Sequence, residues 1–124
     1  MTCLPPDVAP AIRQLTQLQV LKLTDCRLLT LEGVPRLKTL LHLDVSHNWL
    51  NDEAVKLLGK FKTLRRLNFS HNYIQKFESV KFIRRIDQLE HLECIGNPFT
   101  ALTNYEGMIW EALPRLKALN QTDR

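Results

Sequence analysis

A chain of 124 residues with 44% hydrophobic and 24% charged content has the make-up of one soluble globular domain, and it is read as a single domain over residues 1–124. A formal net charge of +4 makes the surface modestly basic and falls short of a dedicated nucleic-acid binder. The opening Met1-Thr2-Cys3-Leu4-Pro5-Pro6-Asp7 lacks a basic segment followed by an apolar run, and no later stretch reaches membrane-spanning length, so neither a secretory leader nor a membrane anchor is expected. Cys3, Cys26 and Cys94 are odd in number and have no CxxC spacing, which points to reduced thiols in an intracellular compartment.

In chain order, residues 1–17 carry Pro5, Pro6 and Pro10, with Val8, Ile12 and Leu15 at roughly helical spacing. They are expected to form an N-terminal cap. From Leu18 to Phe99 one arrangement, Leu-x-x-Leu-x-apolar-x-x-Asn-x-apolar, returns four times, with Cys26 in place of the asparagine in the first unit. Its members are Leu18, Leu21, Leu23, Cys26, Leu28; Leu40, Leu43, Val45, Asn48, Leu50; Leu64, Leu67, Phe69, Asn72, Ile74; and Leu89, Leu92, Cys94, Asn97, Phe99. Successive first leucines lie 22, 24 and 25 residues apart, the period of a leucine-rich repeat. Pairs such as Leu43/Val45 and Leu67/Phe69 alternate with polar residues at the strand period, so each unit is predicted to contribute one short parallel strand with its apolar side inward. The asparagines fall where the chain leaves the strand, and a buried amide there satisfies backbone groups that the turn leaves unpaired. The fold class is therefore α/β, a right-handed leucine-rich-repeat solenoid with a parallel concave sheet and a convex side of 3₁₀ and short helical segments.

The return segments differ. Leu28, Leu31, Val34, Leu37 and Leu40 recur every three residues, as do Phe77, Val80, Ile83, Ile86 and Leu89, which predicts tight 3₁₀-like turns. Asp52-Glu53-Ala54-Val55-Lys56-Leu57-Leu58-Gly59 opens on acids and closes on glycine, which predicts a short α-helix with Gly59 at its exit. Residues 100–124 are predicted to form a C-terminal cap: a helix through Tyr105, Ile109 and Leu113 with Asn104 at its N-cap and Pro114 after it, then a last strand at Leu116 and Leu119.

Leu102-Thr103-Asn104-Tyr105, Leu113-Pro114-Arg115-Leu116-Lys117-Ala118-Leu119-Asn120 and Asp123-Arg124 resemble the C-terminal cap of the acidic leucine-rich nuclear phosphoproteins. The likeness extends back through Leu67-Asn68-Phe69-Ser70-His71-Asn72 and Ile83-Arg84-Arg85-Ile86-Asp87-Gln88-Leu89. The resemblance implies a nuclear or cytoplasmic adaptor with histones or protein phosphatase 2A as partners and phosphatase inhibition among its activities. Two differences from the family's pattern stand out: the sequence reaches Arg124 at the point where the family's acidic tail would begin, and it is about one repeat shorter than the family's length on the N-terminal side, so roles that depend on the tail's negative charge do not follow from the residues at hand. The other reading is a different SDS22-like adaptor, such as a spliceosomal, phosphatase-1 regulatory or axonemal subunit.

The strand reading lays out a concave grid. Its first row is Val20, His42, Arg66, His91 and Ala118; its second is Lys22, Asp44, Asn68, Glu93 and Asn120; its third is Thr24, Ser46, Ser70 and Ile95. Asp25, His47 and His71 follow at the edge. A rigid curved sheet presents such side chains without ordering cost, so Lys22, His42, Asp44, His47, Arg66, Asn68, His71, His91 and Glu93 are the candidate partner-binding residues. Protonation of the histidines between about pH 5.5 and 7 is expected to alter partner affinity. Imidazoles at strand spacing do not converge on a tetrahedral point, so no metal and no cofactor is expected. Trp49 and Tyr73, with Arg27 and Pro98, are predicted to stack along one edge as an alternative anchor or as a shield for the core. Basic residues before the strands, Arg36/Lys38, Lys60/Lys62/Arg65/Arg66 and Arg84/Arg85, are diluted by Glu53, Glu78, Asp87 and Glu90 and read as a solvated face rather than a nucleic-acid site. There is no phosphate loop, activated nucleophile or paired carboxylate cleft, so no catalytic residue is assigned and the chain is expected to be a monomeric, non-catalytic module.

Overall fold

Leu21, Leu43, Leu67 and Leu92 sit at the centres of four three-residue strands, and each is nearly fully buried. The computed structural model describes residues 17–124, so the predicted N-terminal cap and Cys3 lie outside the described residues. The strands are β1 (Val20–Lys22), β2 (His42–Asp44), β3 (Arg66–Asn68) and β4 (His91–Glu93), followed by β5 (Ala118–Leu119) and β6 (Thr122–Asp123). They form one six-stranded sheet in sequence order. The first four pairings are parallel and in register, with Val20, His42, Arg66, His91 and Ala118 as successive neighbours. The last pairing is antiparallel. Because the repeat places leucine at the same phase in every unit, one register satisfies every inward side chain at once.

The asparagines bind successive coils together. Asn48 Oδ1 accepts from the Cys26 and Leu28 amides, while its Nδ2 donates to the Leu23 and Val45 carbonyls at 2.8 and 2.9 Å. Asn72 repeats this with the Leu50 amide and the Val45 and Phe69 carbonyls, and Asn97 with the Ile74 amide and the Phe69 and Cys94 carbonyls. All three are buried. The residue before each holds positive φ, His47 at 57°, His71 at 59° and Gly96 at 74°, and so does Asp25 before Cys26, at 54°. This left-handed step turns the chain off the strand so that the following side chain swings inward.

The returns bear out one expectation and correct two. Residues 28–40 form isolated i→i+3 turns, as the spacing of three predicts, with bonds from Val34 N to Leu31 O and from Leu40 N to Leu37 O. Pro35 and Gly33, the latter at φ 85°, break what the spacing of three would otherwise continue. The second return contains helix α1 (Asp52–Leu57), but Gly59 is not its cap, because the chain runs on through a 3₁₀ turn, Leu58–Lys60. Glycine keeps that position uncrowded, since a Cβ would lie 3.2 Å from the Phe82 carbonyl oxygen and 3.3 Å from Arg85 Cδ, a tight fit. The third return begins as an α-helical turn, α2 (Phe77–Val80), and becomes the expected 3₁₀ segment only at Lys81–Arg85.

The C-terminal segment forms helix α3 (Tyr105–Ala112). Asn104 does precede it, yet its side chain makes no capping bond and its backbone is left-handed, φ 64°. Phe69, Phe99 and Tyr105 link this helix to the repeats, with ring centroids 6.5 Å apart for the first pair and 5.9 Å for the second. Fully buried leucines, Phe61, Phe69 and Phe99 run as one core through the stack.

Candidate partner-binding face

Parallel pairing fixes the outward side chains as firmly as the inward ones. His42, Arg66 and His91 are direct neighbours across β2, β3 and β4, and Lys22, Asp44, Asn68 and Glu93 form the next row. Lys22 and Arg66 are exposed, while His42, Asp44, Asn68, His91 and Glu93 are half-buried. The second row also braces the strand ends: Asp44 Oδ1 accepts from the Ser46 amide and Asn68 Oδ1 from the Ser70 amide, each at 2.9 Å. Those turns draw Ser46 and Ser70 into the interior, so the expected third row is not an open one. Ile95, in contrast, is exposed.

At the C-terminal end the two rows border a hollow of about 370 Å³ whose walls include His42, Arg66, His91, Glu93, Gln121 and Asp123. Gln121 and Asp123 come from the β5–β6 hairpin, which lies beyond the repeat pattern. Their only sequence signal is the pair Asn120-Gln121, where both residues adopt the positive φ of a tight two-residue turn, 49° and 68°. Gln121 Nε2 donates to Glu93 Oε1 at 2.8 Å, holding the carboxylate at the rim. Burial, followed by the neighbouring Lys22 cation, pulls His42 below the usual imidazole value; Arg66 acts in the same direction, and Asp44 and Glu93 oppose them. Such a wall offers a cation, carboxylates and imidazoles within one concavity and suits a polar protein surface of mixed charge.

The four histidines separate into two pairs. His47 and His71 stack at the sheet edge, ring centroids 4.4 Å apart, whereas His42 and His91 flank Arg66. A Cβ on Gly96 would fall within contact distance of the His71 ring, 2.2 Å from Nδ1, so the glycine leaves room for that ring. Among the described residues no group of three His, Cys, Asp or Glu side chains is placed to hold a metal ion.

The predicted aromatic edge is present as a row but not as a stack. Trp49 and Tyr73 are 45% and 56% exposed, and Trp49 is faced by the Arg27 guanidinium, 5.8 Å from its centroid. The ring pairs among the described residues are those of His47 with His71 and Phe99 with Phe69 and Tyr105. Burial pushes the Cys94 thiol up to about 12, which leaves it protonated and without nucleophilic character at neutral pH. No helix of the described residues is long and apolar enough to cross a membrane.

Comparison with known proteins agrees with the repeat architecture. The family description "Leucine Rich repeat" matches residues 36–59. Acidic leucine-rich nuclear phosphoprotein 32 family member A from Drosophila melanogaster is 30% identical over 121 residues, which cover 98% of this chain and 46% of that protein. Acidic leucine-rich nuclear phosphoprotein 32-related protein 1 from Caenorhabditis elegans is 30% identical, with 89% of this chain and 49% of the relative covered. A protein of Tetrahymena thermophila named as a histone is 26% identical over 91% of this chain and 29% of its own length. The chain thus spans less than half the length of these curated relatives. Among solved structures, a chain of the Drosophila melanogaster SNF/U2A′ complex superposes with a TM-score of 0.79 at 18% identity, covering 99% of this chain and 86% of that one. The Mex67 leucine-rich-repeat domain from Chaetomium thermophilum gives 0.60 at 28% identity, covering 68% of this chain and 58% of the other.

Proposed function

We propose that this chain, a leucine-rich-repeat protein related to the acidic leucine-rich nuclear phosphoproteins, is a non-catalytic module that grips a protein partner on its concave sheet. The observation that carries the reading is the in-register alignment of His42, Arg66 and His91 beside Asp44, Asn68 and Glu93 on one rigid surface. Because backbone pairing already holds these residues in place, little ordering cost attends binding. Arg66 is the natural anchor: it is exposed, central in its row, and long enough to reach a partner carboxylate. His47 and His71 extend the surface along its edge, and Trp49 and Tyr73 add apolar area beyond it.

Relatives named nuclear phosphoproteins, together with one named as a histone, favour a nuclear setting and histones as the first partner to test, with protein phosphatase 2A second. The test is titration of purified core histones and purified phosphatase 2A against the wild-type chain and Arg66→Glu. The reversal is expected to weaken the relevant complex at least tenfold, about 1.4 kcal/mol. An unchanged Kd for Arg66→Glu, alongside a loss for Trp49→Ala without a change in stability, would move the site to the aromatic edge.

A further inference from the structure

The outer side of the coil gathers charge that the sequence disperses. Arg36 from the first return, Lys56, Lys60 and Lys62 from the second and Arg85 from the third line one hollow of about 370 Å³, whose lining includes no acidic residue. Several contacts hold this group together. Lys60 Nζ donates to the Val34 carbonyl of the preceding return, so its stem lies flat against the coil below. Lys56 Nζ and the Arg85 guanidinium both lie against the Phe82 ring, 5.4 and 5.1 Å from its centroid. Gly59 allows that approach, because a side chain there would meet the Phe82 carbonyl oxygen and Arg85. Glu53 pairs with Lys56 at 3.2 Å. Arg36, Lys60, Lys62 and Arg85 have no ion-pair partner among the described residues. Burial and then the Arg36 charge pull the Lys60 ammonium below its ordinary value.

We infer that this convex hollow docks an acidic, Asp- and Glu-rich segment of a partner protein. Its cations step across three successive coils, so an extended acidic chain laid across the returns meets a new cation at each coil. Nucleic acid is the poorer fit. Phe82, the aromatic beside the hollow, already has Lys56 and Arg85 against its ring, so a base stacking there would compete with those cations. The site is on the returns and does not depend on the concave face.

The experiment is fluorescence anisotropy of a labelled oligoglutamate peptide, with an oligouridylate of equal length as the second probe. The wild-type chain is expected to bind the peptide more tightly than the RNA, with affinity falling steeply as salt rises from about 50 to 200 mM. The double variant Lys62→Glu/Arg85→Glu should lose at least tenfold in peptide affinity, while Arg115→Glu, an exposed cation of the C-terminal cap outside the hollow, leaves it unchanged. If the double reversal does not fold, Lys62→Gln/Arg85→Gln is read instead, with a smaller loss in the same direction. Peptide affinity that survives the loss of these charges, or tighter binding of the RNA, overturns the proposal.

Discussion

Asn72 shows how one side chain replaces several backbone partners. Its carbonyl oxygen accepts from the buried Leu50 amide at 3.0 Å, and its amide donates at 2.9–3.2 Å to the Phe69, Val45 and Ser70 carbonyls. No buried side-chain polar atom among the described residues is left without a partner. Asn72→Ala therefore strands the Leu50 N–H in the core and is expected to cost about 3 kcal/mol, read as a lower urea midpoint with an unchanged m-value. A loss below about 1 kcal/mol would mean that the coil can turn without the amide. The role of these asparagines is legible in the sequence because a residue with both donor and acceptor returns at that place in three of the four units. The left-handed residue at the strand exit is not legible, because Asp25, His47 and His71 are ordinary residues whose positive φ comes from the surrounding coil.

At the scale of elements, successive returns are joined by side chains that reach across coils. Asn51 caps α1 through the Ala54 amide, which frees Asp52 to cap the next return instead. Asp52 accepts from the Gln75 and Lys76 amides at 2.9 and 2.8 Å and from Ser79 Oγ at 2.7 Å, ahead of α2, whose own N-cap residue Lys76 supplies no side-chain bond. Burial alone would raise its carboxyl; the backbone bond from Gln75, then those from Ser79 and Lys76, outweigh it and hold the value below the ordinary 3.8. With a depressed folded-state value, the stabilisation is fully present above 3.8 and is lost as pH falls through the lower, folded-state value. Asp52→Asn is expected to cost about 1 kcal/mol at neutral pH, solvent screening included, and to flatten the decline in stability below about pH 4. Thermal melts at a series of pH values decide this; an equal decline in both proteins would assign the acid sensitivity to other carboxylates. At the other end Arg124 donates to the Trp110, Pro114 and Leu116 carbonyls at 2.7–2.9 Å and lies over the Trp110 ring, closing the C-terminus of α3. The acids at the start of α1 signal a helix N-terminus in the sequence, but not which helix Asp52 serves. That depends on a neighbour 23 residues away in the chain.

At the scale of the whole molecule, one continuous core makes each coil depend on its neighbours. Leu64, fully buried at the end of the second return, tests this. Leu64→Ala is expected to cost roughly 3 kcal/mol and to destabilise both ends together. The two tryptophans, Trp49 in the second unit and Trp110 in the C-terminal helix, report the two ends separately in single-tryptophan variants. Coincident unfolding curves at the two sites are the expected result; an early transition at one end would show that the coils unfold independently.

The sequence by itself determined the period, the inward leucines, the buried asparagines and hence the rows of the concave grid, because strand pairing at a fixed repeat leaves a single register that buries every strand-centre leucine. Only the tertiary structure decided how the returns close. The reach of Asp52 into the next coil, the hold of Gln121 on Glu93 at the concave wall and the meeting of Arg36, Lys60 and Arg85 all arise between units. Contacts of that kind depend on the packing of residues about 20 or more apart in the chain, and no local periodicity records them.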